Sequence, residues 1–200
     1  MASETIRVFV AVELPAAQRA AIGALRARVE REWKGVRWVG PDQLHLTLAF
    51  LGDVGVQAVP ALRRGLTLGV GEVEGFELEV RGVGAFPDAG RPRVVWAGIE
   101  GSGLEALHGL RECVARACRE AHCTPADDRF RPHVTLGRFP MRGPKRVARG
   151  LELEALSDWS GGTFRVDRVS VIASELRAQG PTYSHLSRFG LKGSGTPADA

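Results

Sequence analysis

Two tetrapeptides, His45-Leu46-Thr47-Leu48 and His133-Val134-Thr135-Leu136, agree at three of four positions across a separation of 88 residues. In each, His and Thr sit two apart in an apolar run. A strand has a side-chain period of two, so both polar groups leave one face while the apolar pair leaves the other. Two such strands facing each other would offer two imidazoles and two hydroxyls to one bound group. That set suits in-line displacement at phosphorus. One neutral imidazole takes a proton from water, and one imidazolium gives a proton to the leaving oxygen. Histidine, with an ordinary pKa of about 6.5, supplies both forms near neutrality, and each transfer is worth roughly 10²–10⁴ in rate. Thr47 and Thr135 would hold the non-bridging phosphate oxygens. Charge builds on those oxygens in the transition state, and the cations nearest in sequence are Arg131 and Arg138.

The scheme needs no metal, and no carboxylate or cysteine accompanies either motif at ligand spacing. A single His in an apolar strand is ordinarily a core or edge residue. Its recurrence with Thr, in two strand contexts, is what favours function. His108, His122 and His185 lack the pattern and read as structural.

The positioning elements follow from periodicity. A central strand is expected over 6–13, with Pro15 opening a helix over 16–33. A short strand at 36–39 and a turn at Gly40-Pro41-Asp42 lead into the first motif strand, 44–50. A second helix covers 56–68, an alternating strand 76–80, a turn-rich loop 82–92 and a returning strand 93–99. A third helix covers 104–121, the second motif strand 133–139 and a weak helix 144–156. Strands at 164–173 and 182–191 close the fold. Residues 193–200 read as a disordered tail. The layout implies one α+β domain over 1–192, built as two similar lobes, each an antiparallel sheet with helices on one face.

Composition narrows the class. The chain has 200 residues, a net charge of +4 and 27 basic residues, all but Lys34, Lys145 and Lys192 being Arg. Arg reads phosphate with a planar fork, which fits an anionic partner, although GC-rich coding also raises Arg. Apolar runs fall short of the roughly 20 residues of a membrane helix, and 6–12 reads as a buried strand, not a leader. A soluble cytoplasmic monomer with no membrane association is expected. Cys113, Cys118 and Cys123, five apart in a helical stretch, fit neither zinc nor a redox pair and read as small buried hydrophobes.

Beyond the two motifs, Arg7-Val8-Phe9-Val10-Ala11-Val12-Glu13-Leu14-Pro15, Val36-Arg37-Trp38-Val39, Gly84-Ala85-Phe86-Pro87 and Gly180-Pro181-Thr182-Tyr183 occur in an order and spacing that resembles the two-histidine (2H) phosphoesterase superfamily. Within it, the chain is most similar to the RNA 2′,3′-cyclic phosphodiesterases, historically labelled 2′-5′ RNA ligases. The resemblance implies a bilobal fold, two antiparallel sheets facing a central cleft with helices on the outer faces. It also implies metal-independent hydrolysis of a terminal 2′,3′-cyclic phosphate to a 2′-phosphomonoester, with 2′-5′ ligation as the reverse. His45 would be the proton donor and His133 the acceptor. Thr47 and Thr135 would bind phosphate, and Arg138 matches the family's Arg after the second motif. Partners would be RNA 3′ ends or nucleotides carrying the cyclic phosphate, with no cofactor. Small cyclic nucleotides, 2′-5′ oligonucleotides, ADP-ribose cyclic phosphate and a non-catalytic RNA-end binding role remain open. For base stacking, Phe86 and Phe130 are the expected cleft-rim aromatics, while Phe50 and Trp38 are expected in the core.

Overall fold

The computed structural model describes residues 4–125, 129–140, 152–177 and 180–194. Among these are nine strands: β1 (Thr5–Glu13), β2 (Arg37–Trp38), β3 (His45–Gly55), β4 (Phe76–Phe86), β5 (Val94–Glu100), β6 (His133–Arg138), β7 (Ser160–Val166), β8 (Arg168–Arg177) and β9 (Gly180–Gly190). They run in the order β7-β4-β5-β6-β3-β1-β8-β9, with β2 beside β6, and every pairing between them is antiparallel. Three α-helices accompany them among the described residues, α1 (Ala16–Val29), α2 (Val59–Val70) and α3 (Leu104–Glu120). The expected α+β class is present, with the antiparallel strands in one nine-stranded sheet whose two wings join where β3 and β6 meet through one residue pair, Leu46 with Val134.

The lobes are not the two halves of the chain. One wing is β9-β8-β1-β3 and the other is β7-β4-β5-β6, so the last two strands return to the wing of the first. Burial explains the pairing. Val8, Val10 and Val12 of β1, Val169 and Val171 of β8, Leu46 and Leu48 of β3, and Val134 and Leu136 of β6 are all within 3% of full burial and share one core. The helices roof that side: α1 lies against β7 with Ile22 and Leu25 inward, while α2 packs on α3 and β9 through Leu62 and Leu66. Each side chain of this size contributes about 1.5–3 kcal/mol on burial.

Three expectations need correction. The single strand expected over 164–173 is two strands that part at Asp167 and belong to opposite wings. The inward residues change parity there, Phe164 and Val166 before Asp167-Arg168 and Val169 and Val171 after it, and a single strand cannot keep both sets on one face. The loop expected from 82 begins later, since β4 continues to Phe86. Gly82, at φ +66°, absorbs a bulge opposite β5, and the strand resumes beyond it. Helix α1 stops at Val29, four residues before its expected end. Most of the weak helix expected over 144–156 lies outside the described residues, as do 195–200 of the expected tail. Within the former, Leu153–Leu156 forms a 3-10 turn.

Gly84 sits directly opposite Trp96, and the indole lies across it; a Cβ built there would fall 2.1–2.7 Å from three indole atoms. The glycine thus makes room for a ring on the motif side of the sheet. Gly84→Ala is expected to cost about 1–3 kcal/mol and to move the Trp96 ring, which urea unfolding followed by tryptophan fluorescence would register.

Candidate active site

The β3–β6 seam sets the site. Because Leu46 and Val134 point into the core, their neighbours His45, Thr47, His133 and Thr135 must leave the other face. Extending that antiparallel register one residue either way sets His45 against Thr135 and Thr47 against His133. The four residues expected from sequence are therefore brought together as a local two-fold arrangement, and they share one surface opposite the core.

Both imidazoles are anchored alike. His45 Nδ1 lies 2.7 Å from the Gln43 carbonyl and His133 Nδ1 2.6 Å from that of Arg131. A carbonyl only accepts, so Nδ1 carries the proton in each ring and donates it, leaving Nε2 as the exchangeable nitrogen. The Gln43 amide, donating to the Pro181 carbonyl, ties the strand entry to β9. Both threonines are held in the ladder by their backbones, and neither hydroxyl hydrogen-bonds another described residue, so both remain available to a ligand.

Each ring is also walled by two aromatics. Phe9 stacks on His45 at 4.7 Å between centroids and Tyr183 meets it edge-on at 5.7 Å. Phe86 meets His133 edge-on at 5.1 Å, with Trp96 at 6.3 Å. Burial depresses both imidazole pKa values below their ordinary range, against the raising effect of the backbone hydrogen bonds, and the Arg138 charge depresses both further. One exposed guanidinium thus acts on both histidines, and it also acts on Tyr183. Arg131 sits differently: its carbonyl orients His133 and its guanidinium lies 5.9 Å from the Phe86 ring.

The surroundings break the two-fold likeness. Across from His45 on β1 is Glu13, whereas across from His133 on β5 is Gly98. The Glu13 carboxylate accepts from Ser170 Oγ at 2.5 Å and Arg188 Nε at 3.4 Å, and pairs with His185 Nε2 at 3.0 Å. Burial pushes its pKa up, but Ser170, His185 and Arg188 outweigh that and hold it below the usual carboxylate range. An ionised Glu13 raises the His45 pKa, opposing the burial.

Sequence reasoning missed Glu13, Phe9, Tyr183 and Trp96. The signal for Glu13 was its position on the cleft face of β1, readable only once β1 and β3 are paired. His185, read as structural, is a partner of Glu13 in this network. Phe86 stands beside His133 as a cleft aromatic, but Phe130 packs on His108 and under Arg111, in other company. Phe50, expected in the core, is 38% exposed. Cys118 and Cys123 are buried as expected, whereas Cys113 is only half-buried, and burial pushes the Cys118 thiol up to about 12, out of reach of thiolate chemistry. Among the described residues, no group of three or more His, Cys, Asp or Glu side chains is placed to hold a metal, and no helix is long and apolar enough to cross a membrane.

The model of the 2′-5′ RNA ligase superfamily matches residues 12–177. A Thermus thermophilus protein named RNA 2′,3′-cyclic phosphodiesterase is 37% identical over 196 residues, covering 94% of this chain and 91% of that one. One of the same name from Methanothermobacter thermautotrophicus is 32% identical, covering 93% and 99%. Among solved structures, TT0787 of T. thermophilus superposes with a TM-score of 0.75 at 33% identity, covering 94% and 98%, and E. coli LigT complexed with 3′-AMP with 0.72 at 28%, covering 94% and 99%.

Depressed folded-state values make a stability prediction. Between those values and about 6.5 the unfolded chain binds more protons than the folded one, so stability falls as pH drops through that window and is level above it. Imidazole NMR titration of the free protein is expected to give apparent pKa values below 6.5 for both His45 and His133, with denaturant midpoints falling over the same range.

Proposed function

Because the chain belongs to the 2′-5′ RNA ligase superfamily, we propose that it hydrolyses 2′,3′-cyclic phosphates at RNA ends, leaving a 2′-phosphate. The observation that carries this reading is the mirrored pair of imidazoles, each fixed through Nδ1 with Nε2 free. The names of the relatives from T. thermophilus and M. thermautotrophicus, and the 3′-AMP held by E. coli LigT, support the substrate class.

In this mechanism Thr47 and Thr135 donate to the non-bridging oxygens and Arg138 balances their growing charge. His133 Nε2 takes a proton from water as the water oxygen bonds to phosphorus. The bond from phosphorus to O3′ breaks on the far side, and His45 gives its Nε2 proton to that oxygen. The division of labour is supported by Glu13, whose carboxylate favours the protonated form of His45 but has only Gly98 as its counterpart beside His133. A bound phosphodiester adds negative charge and raises both imidazole pKa values towards neutrality. Arg131 contributes through its carbonyl and through its position over Phe86. All these groups come from one chain, so a monomer suffices. The same displacement with a 5′-hydroxyl in place of water, breaking the same bond to O3′, would form a 2′-5′ linkage.

A short RNA ending in a 2′,3′-cyclic phosphate, incubated with excess EDTA, is the test. Clean 2′-phosphate is expected, with His45→Ala and His133→Ala each lower by at least about 10². Tight binding with no turnover by the unaltered protein would instead support an RNA-end binding module, and turnover lost to EDTA would contradict the metal-free scheme. The rate should be bell-shaped in pH, and a flat profile would rule out paired-histidine catalysis. In Glu13→Gln the alkaline limb should move to lower pH, since the acid His45 then loses its proton earlier. An unchanged limb would remove Glu13 from the mechanism.

A further inference from the structure

The face that carries His45 and Thr47 continues past them along β3 and β1, and it ends in two side chains that the mechanism does not use. Two irregularities in the β1–β3 pairing decide this. Ala11 pairs with Thr47 but Val10 with Ala49, and Phe9 with Phe50 but Val8 with Gly52. Leu48 and Leu51 are therefore extra residues on β3. Leu48 and its neighbour Ala49 are both buried, and the parity of the strand changes there. Residues opposite each other across an antiparallel pair share a face. Phe9 stacks on His45, so Phe9 and its partner Phe50 lie on the cleft side.

Phe50 is an exposed large hydrophobic residue in the middle of an otherwise buried run. Its ring is not bare: the Arg7 guanidinium sits over it, 5.0 Å from the centroid. Arg7 lies opposite Asp53 but makes no ion pair within 4 Å among the described residues. A planar cation on an aromatic ring, with its charge uncommitted, is the combination that single-stranded nucleic acid uses, with bases on the flat surface and phosphate on the cation. Phe50 lies three positions beyond Thr47, at most about 10 Å along a strand, which one extended nucleotide can bridge.

We propose that Arg7 and Phe50 form a second nucleotide subsite, which takes the residue preceding the one with the cyclic phosphate. The base of that residue lies on the Arg7–Phe50 surface, and Arg7 reaches the phosphate that links it to the terminal nucleotide. The inference rests on the cyclic phosphodiesterase reading and names its substrate more narrowly, as an oligonucleotide end in preference to a free mononucleotide. Tyr183, partly exposed and edge-on to His45, would lie next to the terminal nucleotide, with Phe9 buried beneath the two rings.

The experiment compares kcat/KM for a dinucleotide ending in a 2′,3′-cyclic phosphate with that for the matching mononucleoside 2′,3′-cyclic phosphate. In Phe50→Ala the ratio of the two is expected to fall about tenfold, mainly through KM for the dinucleotide, as for the loss of one base stack. Phe50→Trp should keep the ratio. In Arg7→Gln the ratio should fall and the salt dependence of dinucleotide KM should weaken. An equal fall on both substrates would show a structural role and overturn the subsite, and so would an unchanged ratio. In either case mononucleotide turnover by the unaltered protein would leave the phosphodiesterase reading standing. Failure of the unaltered protein on both substrates would overturn the two together.

Discussion

The joint between β3 and β6 is the constraint on which the rest of the structure depends. It is one residue pair, Leu46 with Val134, both without solvent exposure and both facing the roof of helices. A strand offers its side chains alternately to two faces, so burying Leu46, Leu48, Val134 and Leu136 obliges His45, Thr47, His133 and Thr135 to project from the other. A slip of one residue on either strand would put two polar groups into the core and two leucine-sized groups into the cleft, at a cost of several kcal/mol in unpaired polar burial alone. The core thus enforces the register of the site. Because the joint is short, the two wings meet along it without merging into one wide flat sheet, and the motif strands stand at the inner edge of each.

The helices secure that joint from behind. The segment leaving β1 forms α1, which lies against β7 of the opposite wing, where Gln18 donates to the Thr163 carbonyl at 3.0 Å. The segment leaving β5 forms α3, which packs with α2 and against β3 of the opposite wing. Each helix that separates a wing's strand from its motif strand therefore covers the other wing. The chain crosses between wings repeatedly, and this is why neither half of the sequence is a lobe.

Two like motifs do not make two like environments. On the His45 side a charged network of Glu13, Ser170, His185 and Arg188 reaches the cleft floor. On the His133 side the floor is glycine and tryptophan, with Trp96 laid over Gly84. Arg138 acts on both imidazoles and so lowers both without distinguishing them. Under the proposed division into proton donor and proton acceptor, the walls supply the difference, and a carboxylate on one side is its plainest source.

The residues proposed to carry the chemistry were legible in the sequence because they are local: His-x-Thr in an apolar run defines its own two faces, and its repetition points to a pair of strands. The antiparallel α+β class and the buried cysteines were legible for the same reason, since each follows from spacing within one segment. What depends on distant segments was not. Glu13 belongs to the site only because β1 pairs with β3, and Phe50 leaves the core only because the bulge at Leu48 in that pairing changes the parity of the strand. The break at Asp167 shows in the sequence as a change of parity from Phe164 and Val166 to Val169 and Val171, but that β7 and β8 belong to different wings does not. Periodicity reports which face of an element is buried; which element lies beside it is decided by tertiary packing, and that choice sets the electrostatic difference between two otherwise matching histidines.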